Sequence, residues 1–476
     1  MTIGGESRHA VDGQTLEVRN PATGEVLGHV PAASAADIDL AVQAGKNAFE
    51  DWRREDPAVW RERLVAFAKL IEQEGEELAR LDVLSNGSPI REMRNDVNFA
   101  VESLRFYAGL ASQVGGKTVP TTHDRLNYTL RQPFGVVGRI VPFNHPLLFA
   151  ASRIGAPVAV GNTVIIKPSE YTSLSAVRIG ELARQVFPAG VVNVVTGLGA
   201  TAGDALVRHP DVRRISFTGG AETGRRIVTR AAEVNLKTVT LELGGKNPLV
   251  VLPDADIDSA VEAAVRGMNF TWQGQSCGSM SRLLVHRDLY PAFVEAVASR
   301  AESIRSGSPV DEETETGAIV NQAQLDKVLS YIELGKAEGA RLVAGGNRLT
   351  EGDFGRGLFV RPTVFADVEP DSRLAQEEIF GPVLSVIPFD TYEEGLRIAN
   401  SVSYGLTASV FTRDLGAAHR FARDVEAGYV WVNEVSKHVH ATPFGGWKDS
   451  GLGREEDISE LESFTQTKNV HVNFEQ

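Results

Sequence analysis

The sequence predicts an α/β protein of two lobes, and three observations carry that prediction. At 476 residues the chain exceeds the roughly 250–300 residues at which one hydrophobic core stops growing. Between Gly135 and Ala232, short β-branched runs alternate with stretches of helical periodicity. A second series of the same kind begins at Asn247 and reaches Val432. Strands joined by helix-length connections are the sequence form of βαβ units, so each lobe should hold a mostly parallel sheet covered by helices. Such sheets bind ligands at the carboxyl ends of their strands.

The elements follow in order. From Ser34 to about Leu84 the pattern is helical: Ser34 and Asp37 form a capping pair, and Leu40, Val42, Phe49, Leu64, Phe67, Leu70 and Ile71 recur at helical spacing. Leu126–Leu130 and Gly135–Val141 read as the first strands of the α/β pattern, ahead of Pro142, Asn144 and Pro146. Strand and helix then alternate through Thr163–Ile166, Ser173–Val186, Val191–Val195, Thr201–Val207, Val212–Phe217 and Thr223–Ala232. Thr238–Leu243 alternates as a further strand. The second lobe is read from Asn247–Leu252, Ile257–Asn269, Arg282–Val285, Leu289–Ile304, Ala408–Val410 and Tyr429–Val432. Gly345–Asn347, Glu369–Asp371 and Pro443–Gly446 are loops. Asn469–Asn473 alternates as a strand with no partner evident in its own lobe.

Composition narrows the function. With 48 basic against 62 acidic side chains and a net charge of −14, the chain has no basic patch to neutralise a phosphate backbone, so nucleic acid is not an expected partner. No run of about 18 apolar residues occurs, and Met1–Gly13 lacks the apolar core of a signal peptide. A membrane partner is not expected. A single cysteine, Cys277, excludes an intramolecular disulfide and a multi-cysteine metal site, and the expected location is the cytoplasm.

A lone cysteine is usually a small core hydrophobe. Here Gln273-Gly274-Gln275-Ser276-Cys277-Gly278-Ser279 surrounds the sulfur with small and polar residues, a setting in which backbone N–H groups can stabilise a thiolate or an oxyanion. Cys277 therefore reads as a nucleophile. Glu242 lies in an otherwise apolar strand, where a carboxylate is costly without a task or a partner. It reads as a general base, or else as the ion-pair partner of Lys246. Asn144, between Phe143 and His145 in a Pro142–Pro146 turn, could aim its amide at a reacting oxygen or simply form the turn. Gly219 and Gly224, spaced as GxxxxG after Arg214–Thr218, suit a phosphate at a helix N-terminus, but the P-loop lysine and the GxGxxG fingerprint are both absent.

Taken together these segments resemble the NAD(P)-dependent aldehyde dehydrogenase superfamily. The resemblance runs in order through Val18-Arg19-Asn20-Pro21-Ala22-Thr23-Gly24, Pro142-Phe143-Asn144, Lys167-Pro168-Ser169-Glu170, Phe217-Thr218-Gly219 and Leu241-Glu242-Leu243-Gly244-Gly245-Lys246. It continues through Gly274-Gln275-Ser276-Cys277, Glu377-Glu378-Ile379-Phe380-Gly381-Pro382 and Pro443-Phe444-Gly445-Gly446 to Gly453-Arg454-Glu455.

The resemblance implies a Rossmann-like cofactor domain over residues 1–115 and 135–244, a second α/β catalytic domain over 245–447, and a small β oligomerisation arm from 116–134 and 465–476 that builds a homodimer or homotetramer. It also implies a thioester mechanism. Cys277 attacks the aldehyde, Asn144 and the Cys277 N–H hold the oxyanion, hydride passes to the nicotinamide, and Glu242 activates water for hydrolysis. The cofactor would lie along Ile140, Val141, Pro142, Phe143, Lys167, Glu170, Gly199, Phe217, Thr218, Gly219, Gly220, Leu243, Glu378 and Phe380, with Glu378 on the nicotinamide ribose and Lys167 and Glu170 on the adenosine ribose. A carboxylate at Glu170 accepts from ribose hydroxyls and repels a 2′-phosphate, so NAD is expected, with Lys167 leaving NADP as an alternative.

By the same correspondence His145, Leu148, Phe149, Thr271, Trp272, His438 and Phe444 would line the substrate pocket. That mixed lining suits an aromatic or medium-sized hydrophobic aldehyde better than a trimethylammonium or phosphate-bearing one. His438 and His440, flanking Val439 in a loop, suit solvent or substrate better than a metal, and no metal is expected. Four residues depart from the commonest family pattern: Phe143 for tryptophan, His145 for an aromatic, Gly220 for serine, and Arg153 for a lysine that completes a proton path with the residue matching Glu455. Arginine stays protonated, which speaks against a titrating relay at that point. Three other readings compete: a CoA-acylating semialdehyde dehydrogenase, which needs no base such as Glu242; a cysteine hydrolase pairing Cys277 with a histidine; and a non-catalytic protein retaining the fold.

Overall fold

Two open sheets organise the chain in a computed structural model that describes residues 1–475. The first has eight strands in the order Glu6–Ser7, Thr2–Ile3, Val192–Val194, Thr163–Lys167, Val136–Ile140, Val212–Thr218, Thr238–Glu242 and Gly451–Leu452. The run from Val192–Val194 to Thr238–Glu242 is parallel. Every residue of Val136–Ile140 and of Thr163–Lys167 is buried, as near-continuous β-branched runs require where helices cover both faces. From Val136–Ile140 the chain steps outward through two strands, then returns to the other side of Val136–Ile140 and steps outward again. This is the Rossmann-like order, and its reversal falls where Ile140 and Phe217 are register partners. Connections diverge to opposite faces at that point and leave a crevice at the carboxyl ends of the strands.

The second sheet orders Arg341–Ala344, Thr363–Ala366, Val383–Phe389, Arg282–His286, Pro248–Val251, Thr407–Phe411 and Tyr429–Val432, all parallel except the antiparallel edge Arg341–Ala344. The strands over Arg341–Ala344, Thr363–Ala366 and Val383–Phe389 were not expected from the sequence, because Pro362, Pro382 and Pro388 break up their apolar runs. The first helical region is likewise three helices, Ala35–Trp52, Pro57–Gln73 and Gly75–Asn86. Pro57 sits at the first turn of the second, where a missing N–H costs nothing. The capping pair forms: Asp37 Oδ2 accepts from the Ser34 backbone N at 2.9 Å.

A third, smaller sheet corrects one expectation. The C-terminal strand, Thr465–Asn473, finds its partner within the same chain, pairing antiparallel with Arg125–Pro133 from Thr465↔Pro133 to Asn473↔Arg125. A partner so distant in sequence leaves no local signal. Thr118–Val119 completes this sheet, and Thr465–Asn473 is its edge. Gln476, the end of the arm expected at 465–476, lies outside the described residues. Among the described residues no helix is long and apolar enough to cross a membrane, and no group of three or more His, Cys, Asp or Glu could hold a metal ion.

Phe464 anchors the tail to the first sheet. Its ring is fully buried, with the Arg139 and Arg214 guanidiniums over it at 4.9 and 3.9 Å, and its carbonyl accepts from Asn162 Nδ2 at 3.0 Å. Removing the ring leaves a cavity beneath two buried cations. Phe464→Ala is expected to destabilise the fold by about 3–5 kcal/mol, measured as a lowered thermal midpoint.

Candidate active site

Glu242 is the last residue of the strand Thr238–Glu242, where its carbonyl accepts from Gly219 N at 3.0 Å. The two glycines that follow permit a crowded junction. A Cβ on Gly244 would overlap the Glu378 carboxylate, and one on Gly245 would stand 2.7 Å from the Cys277 carbonyl oxygen. Gly245 N donates to Glu378 Oε1 at 2.9 Å. Asn247 then ties the cysteine loop down, its Nδ2 donating to the carbonyls of Cys277 at 2.7 Å and Ser279 at 2.9 Å while its Oδ1 accepts from Thr407 N at 3.1 Å. Gly274, at φ +66°, lies against the Gly381 carbonyl, so the cysteine loop and the segment bearing Glu378 and Phe380 are packed backbone to backbone.

Asn144 arrives from the other side. The chain leaves Val136–Ile140, turns at Pro142, and re-enters a helix, Pro146–Val158, with proline in its first turn. Asn86 Nδ2 donates to the Asn144 carbonyl at 3.2 Å, and Asp82 Oδ2 accepts from Leu147 N at 2.8 Å at that helix N-terminus. The Asn144 side chain is buried, and its Oδ1 has no partner in the chain.

Three cavities meet here. One of about 480 Å³ holds Ile140, Val141, Pro142, Phe143, Lys167, Glu170, Gly199, Phe217, Thr218, Gly219 and Gly220. A Cβ at Gly199 or Gly220 would meet open space, so backbone alone faces the cavity at both. The second, about 190 Å³, shares Pro142, Phe143, Thr218, Gly219 and Gly220 with the first and adds Asn144, Glu242, Leu243, Cys277, Glu378 and Phe380. Phe143 and Phe380 meet edge to face in it at 5.7 Å. The third, about 310 Å³, holds His145, Leu148, Phe149, Trp272, His438 and Phe444 together with Glu242 and Cys277. Of the substrate-pocket residues expected from the sequence, Thr271 alone is not brought there; it lines an adjoining cavity with Glu262, Arg266 and Glu434, which shares Asn269, Trp272 and Ser436 with the third. Gly224 turns inward as well: a Cβ there would stand 2.8 Å from Leu243, so it is a packing glycine.

A long groove with charged groups at one end, bare backbone at a strand–helix turn, and aromatic walls at the other fits an extended dinucleotide. Lys167 is buried, with Nζ on the Pro168 carbonyl at 2.9 Å and 3.6 Å from Glu170; burial lowers its pKa against the pull of Glu170.

Burial disfavours charge on both Cys277 and Glu242. Burial, then the Glu378 and Glu242 carboxylates, push the half-buried Cys277 thiol up to about 12, while the backbone N–H groups of Gly278 and Cys277 pull it down. Burial and the neighbouring Glu455 hold Glu242 well above the usual carboxylate range, against Arg153 and Arg454. Its Oε2 has no partner in the chain, so neither an ion pair with Lys246 nor any other bond occupies it. Glu455 is gripped by Arg153 and Arg139, each at 2.6 Å.

Sequence reading missed Asp96, Phe99, Trp431 and Glu456 on the third cavity and Gln324 and Lys327 on the second. Asp96 carried a usable signal, an acid among the buried Met93, Val97 and Ala100 of its helix, the same signal that marked Glu242. Gln324 and Lys327 lie on a helix, Gln322–Ala337, that the sequence pattern did not reveal.

Residues 9–470 match the family model described as the aldehyde dehydrogenase family. The mitochondrial aldehyde dehydrogenase of Equus caballus is 43% identical over 99% of this chain and 94% of its own length, and aldehyde dehydrogenase tropH of Talaromyces stipitatus is 44% identical over 96% and 90%. The solved structure of an NAD+ complex of aldehyde dehydrogenase from Bacillus cereus is 43% identical, with a TM-score of 0.97 over 100% of this chain and 96% of that one.

The junction at Gly244 makes a direct prediction. Gly244→Ala must displace the Glu378 carboxylate from the edge of the groove. Loss of a charge-assisted contact predicts an NADH dissociation constant raised by roughly tenfold or more, read by fluorescence titration.

Proposed function

This chain belongs to the aldehyde dehydrogenase family and uses NAD, and from that premise we propose that it oxidises its aldehyde to the free carboxylic acid through a covalent bond to Cys277, released by water that Glu242 activates. The observation that carries this reading is the position of Cys277 and Glu242 on the boundary of two cavities, one continuous with the dinucleotide groove and one walled by aromatic rings.

The chemistry follows from that placement. Cys277 Sγ loses its proton to solvent and bonds to the aldehyde carbon, and the carbonyl electron pair moves to oxygen. The Asn144 amide, in the same cavity, and the Cys277 backbone N–H donate to that oxyanion. Residues of the groove and of the second cavity, among them Glu378 and Phe380, would hold NAD, which would supply the hydride acceptor. Loss of hydride leaves a thioester on Cys277. Glu242 then takes a proton from water, the water oxygen bonds to the acyl carbon, the C–S bond breaks, and Cys277 leaves as thiolate.

Glu242 supports hydrolysis over transfer to CoA, since release to a thiol requires no water-activating base. A cysteine hydrolase would need a histidine on the sulfur. Among the described residues no histidine is hydrogen-bonded to Cys277 Sγ; the ring hydrogen bonds of His145 and His438 are those of Nδ1 with Asp96 and Glu456.

We assign residues 1–115 and 135–244 to the cofactor domain, 245–447 to the catalytic domain, and 116–134 with the C-terminal strand to an arm through which a homodimer or homotetramer forms, because the strand Thr465–Asn473 keeps an edge open to pairing. Glu170 on the groove favours NAD over NADP by repelling a 2′-phosphate. A required free thiol suits the reducing cytoplasm. The aromatic third cavity favours an aromatic or medium-sized hydrophobic aldehyde.

Separate variants test the two steps. Cys277→Ala is expected to form no NADH, whereas Glu242→Gln should give a burst of about one NADH per site and then slow release of acid; full turnover by the first variant would overturn the mechanism. Because the raised Glu242 carboxyl must lose its proton to act as base, wild-type acyl release should climb as pH rises through that raised value, and Glu242→Gln should lose that limb. Rapid-mixing measurement of NADH from pH 6 to 10, without CoA, reads both.

A further inference from the structure

The third cavity carries more chemistry than apolar selection needs. Phe99, Leu148, Phe149, Trp272, Trp431 and Phe444 form its apolar walls, Asn95, Thr218, Asn269, Ser276 and Ser436 add polar groups, and two histidines stand among them. Each is held from behind by a carboxylate. His145 Nδ1 lies 2.9 Å from Asp96 Oδ2, and His438 Nδ1 lies 3.2 Å from Glu456 Oε2. Both carboxylates are largely buried, with side chains 6% and 12% exposed. Packing fixes the rings as well: His145 lies 5.3 Å from Trp272, and His438 lies 4.8 Å from Phe444.

A carboxylate at Nδ1 makes that nitrogen the donor and leaves Nε2 for whatever enters the cavity. Neither Nε2 has a hydrogen-bond partner in the chain: the contacts of both rings are those at Nδ1. A purely hydrocarbon substrate would leave both unpaired, at the cost of desolvating each without compensation. Burial opposes charge on Glu456, and His438 together with Arg153 brings its pKa below the usual carboxylate value.

We propose that this pocket selects a ring aldehyde carrying a hydroxyl group, bonded at the Nε2 atoms of His145 and His438; the proposal rests on the aldehyde-oxidising reading of Cys277. A neutral imidazole offers an acceptor at Nε2 and an imidazolium offers a donor, and a hydroxyl satisfies either. A substrate carboxylate fits less well, because Asp96 and Glu456 stand directly behind the two rings. The remaining cation, Arg153, is engaged by Glu455 at 2.6 Å and lies over the Phe149 ring at 5.0 Å. A cavity of about 310 Å³ accommodates a single substituted ring.

The test compares kcat/KM for benzaldehyde, 3- and 4-hydroxybenzaldehyde, and 3- and 4-carboxybenzaldehyde, in wild type, His145→Phe and His438→Phe. Wild type is expected to favour one hydroxybenzaldehyde over benzaldehyde by roughly tenfold or more, the discrimination of a site built to bond a hydroxyl. Either substitution should pull that ratio toward one. Should a variant fail to fold, competitive inhibition of wild type decides: hydroxybenzyl alcohols should bind more tightly than benzyl alcohol by a similar factor. Benzaldehyde turned over as well as both hydroxybenzaldehydes, a preference for the carboxybenzaldehydes, or a ratio unmoved in both variants would overturn the hydroxyl assignment while leaving aldehyde oxidation intact. Absence of NADH from every aldehyde would overturn both.

Discussion

The site depends on a close approach at Gly244 and Gly245, which the Glu378 carboxylate and the Cys277 backbone both meet. The strand that ends in Glu242, the loop that carries Cys277 and the segment that carries Glu378 come from distant parts of the chain, and they meet where side chains would keep them apart. Asn247 then holds the cysteine loop through two of its carbonyls while accepting from Thr407 of the second sheet. Because a close-packed interior transmits displacement, a shift here would separate nucleophile, base and cofactor groove together.

Burial supplies the second constraint. Low polarity around Glu242 and Cys277, together with neighbouring carboxylates, raises the pKa of both. Behind Glu242 lies a dense ionic cluster in which Arg139 bridges Glu455 and Glu460, Arg153 grips Glu455, and the Tyr107 hydroxyl donates to Glu460. Buried charges of this kind are tolerated only when paired and hydrogen-bonded, and removing one partner leaves the other exposed to its full desolvation cost. Paired in this way, the cluster fixes the Glu455 carboxyl beside Glu242. The same arrangement recurs at the substrate cavity, where Asp96 and Glu456 hold two histidines.

Much of this was legible before any coordinates. The Val136–Ile140 and Thr163–Lys167 strands announced themselves as continuous β-branched runs because both faces are covered. Glu242 stood out as an acid in an apolar strand, and Cys277 as a thiol among glycine and polar residues. The strands around Val383–Phe389 stayed hidden behind their prolines, and Asp96 and Glu456 went unnoticed because their partners are far away in sequence.

Local pattern therefore settled the α/β character and most of the strands along the chain and singled out Cys277 and Glu242, since each depends on periodicity or on a residue type set among its immediate neighbours, whereas the groove residues were implied by the family resemblance. Folding alone settled that Gly224 packs against Leu243, that Trp272 reaches the third cavity while Thr271 does not, that the terminal strand pairs with Arg125–Pro133, and that carboxylates stand behind His145 and His438. These are contacts between segments that no local pattern relates. Their energies exist only once both partners have left water for the same interior.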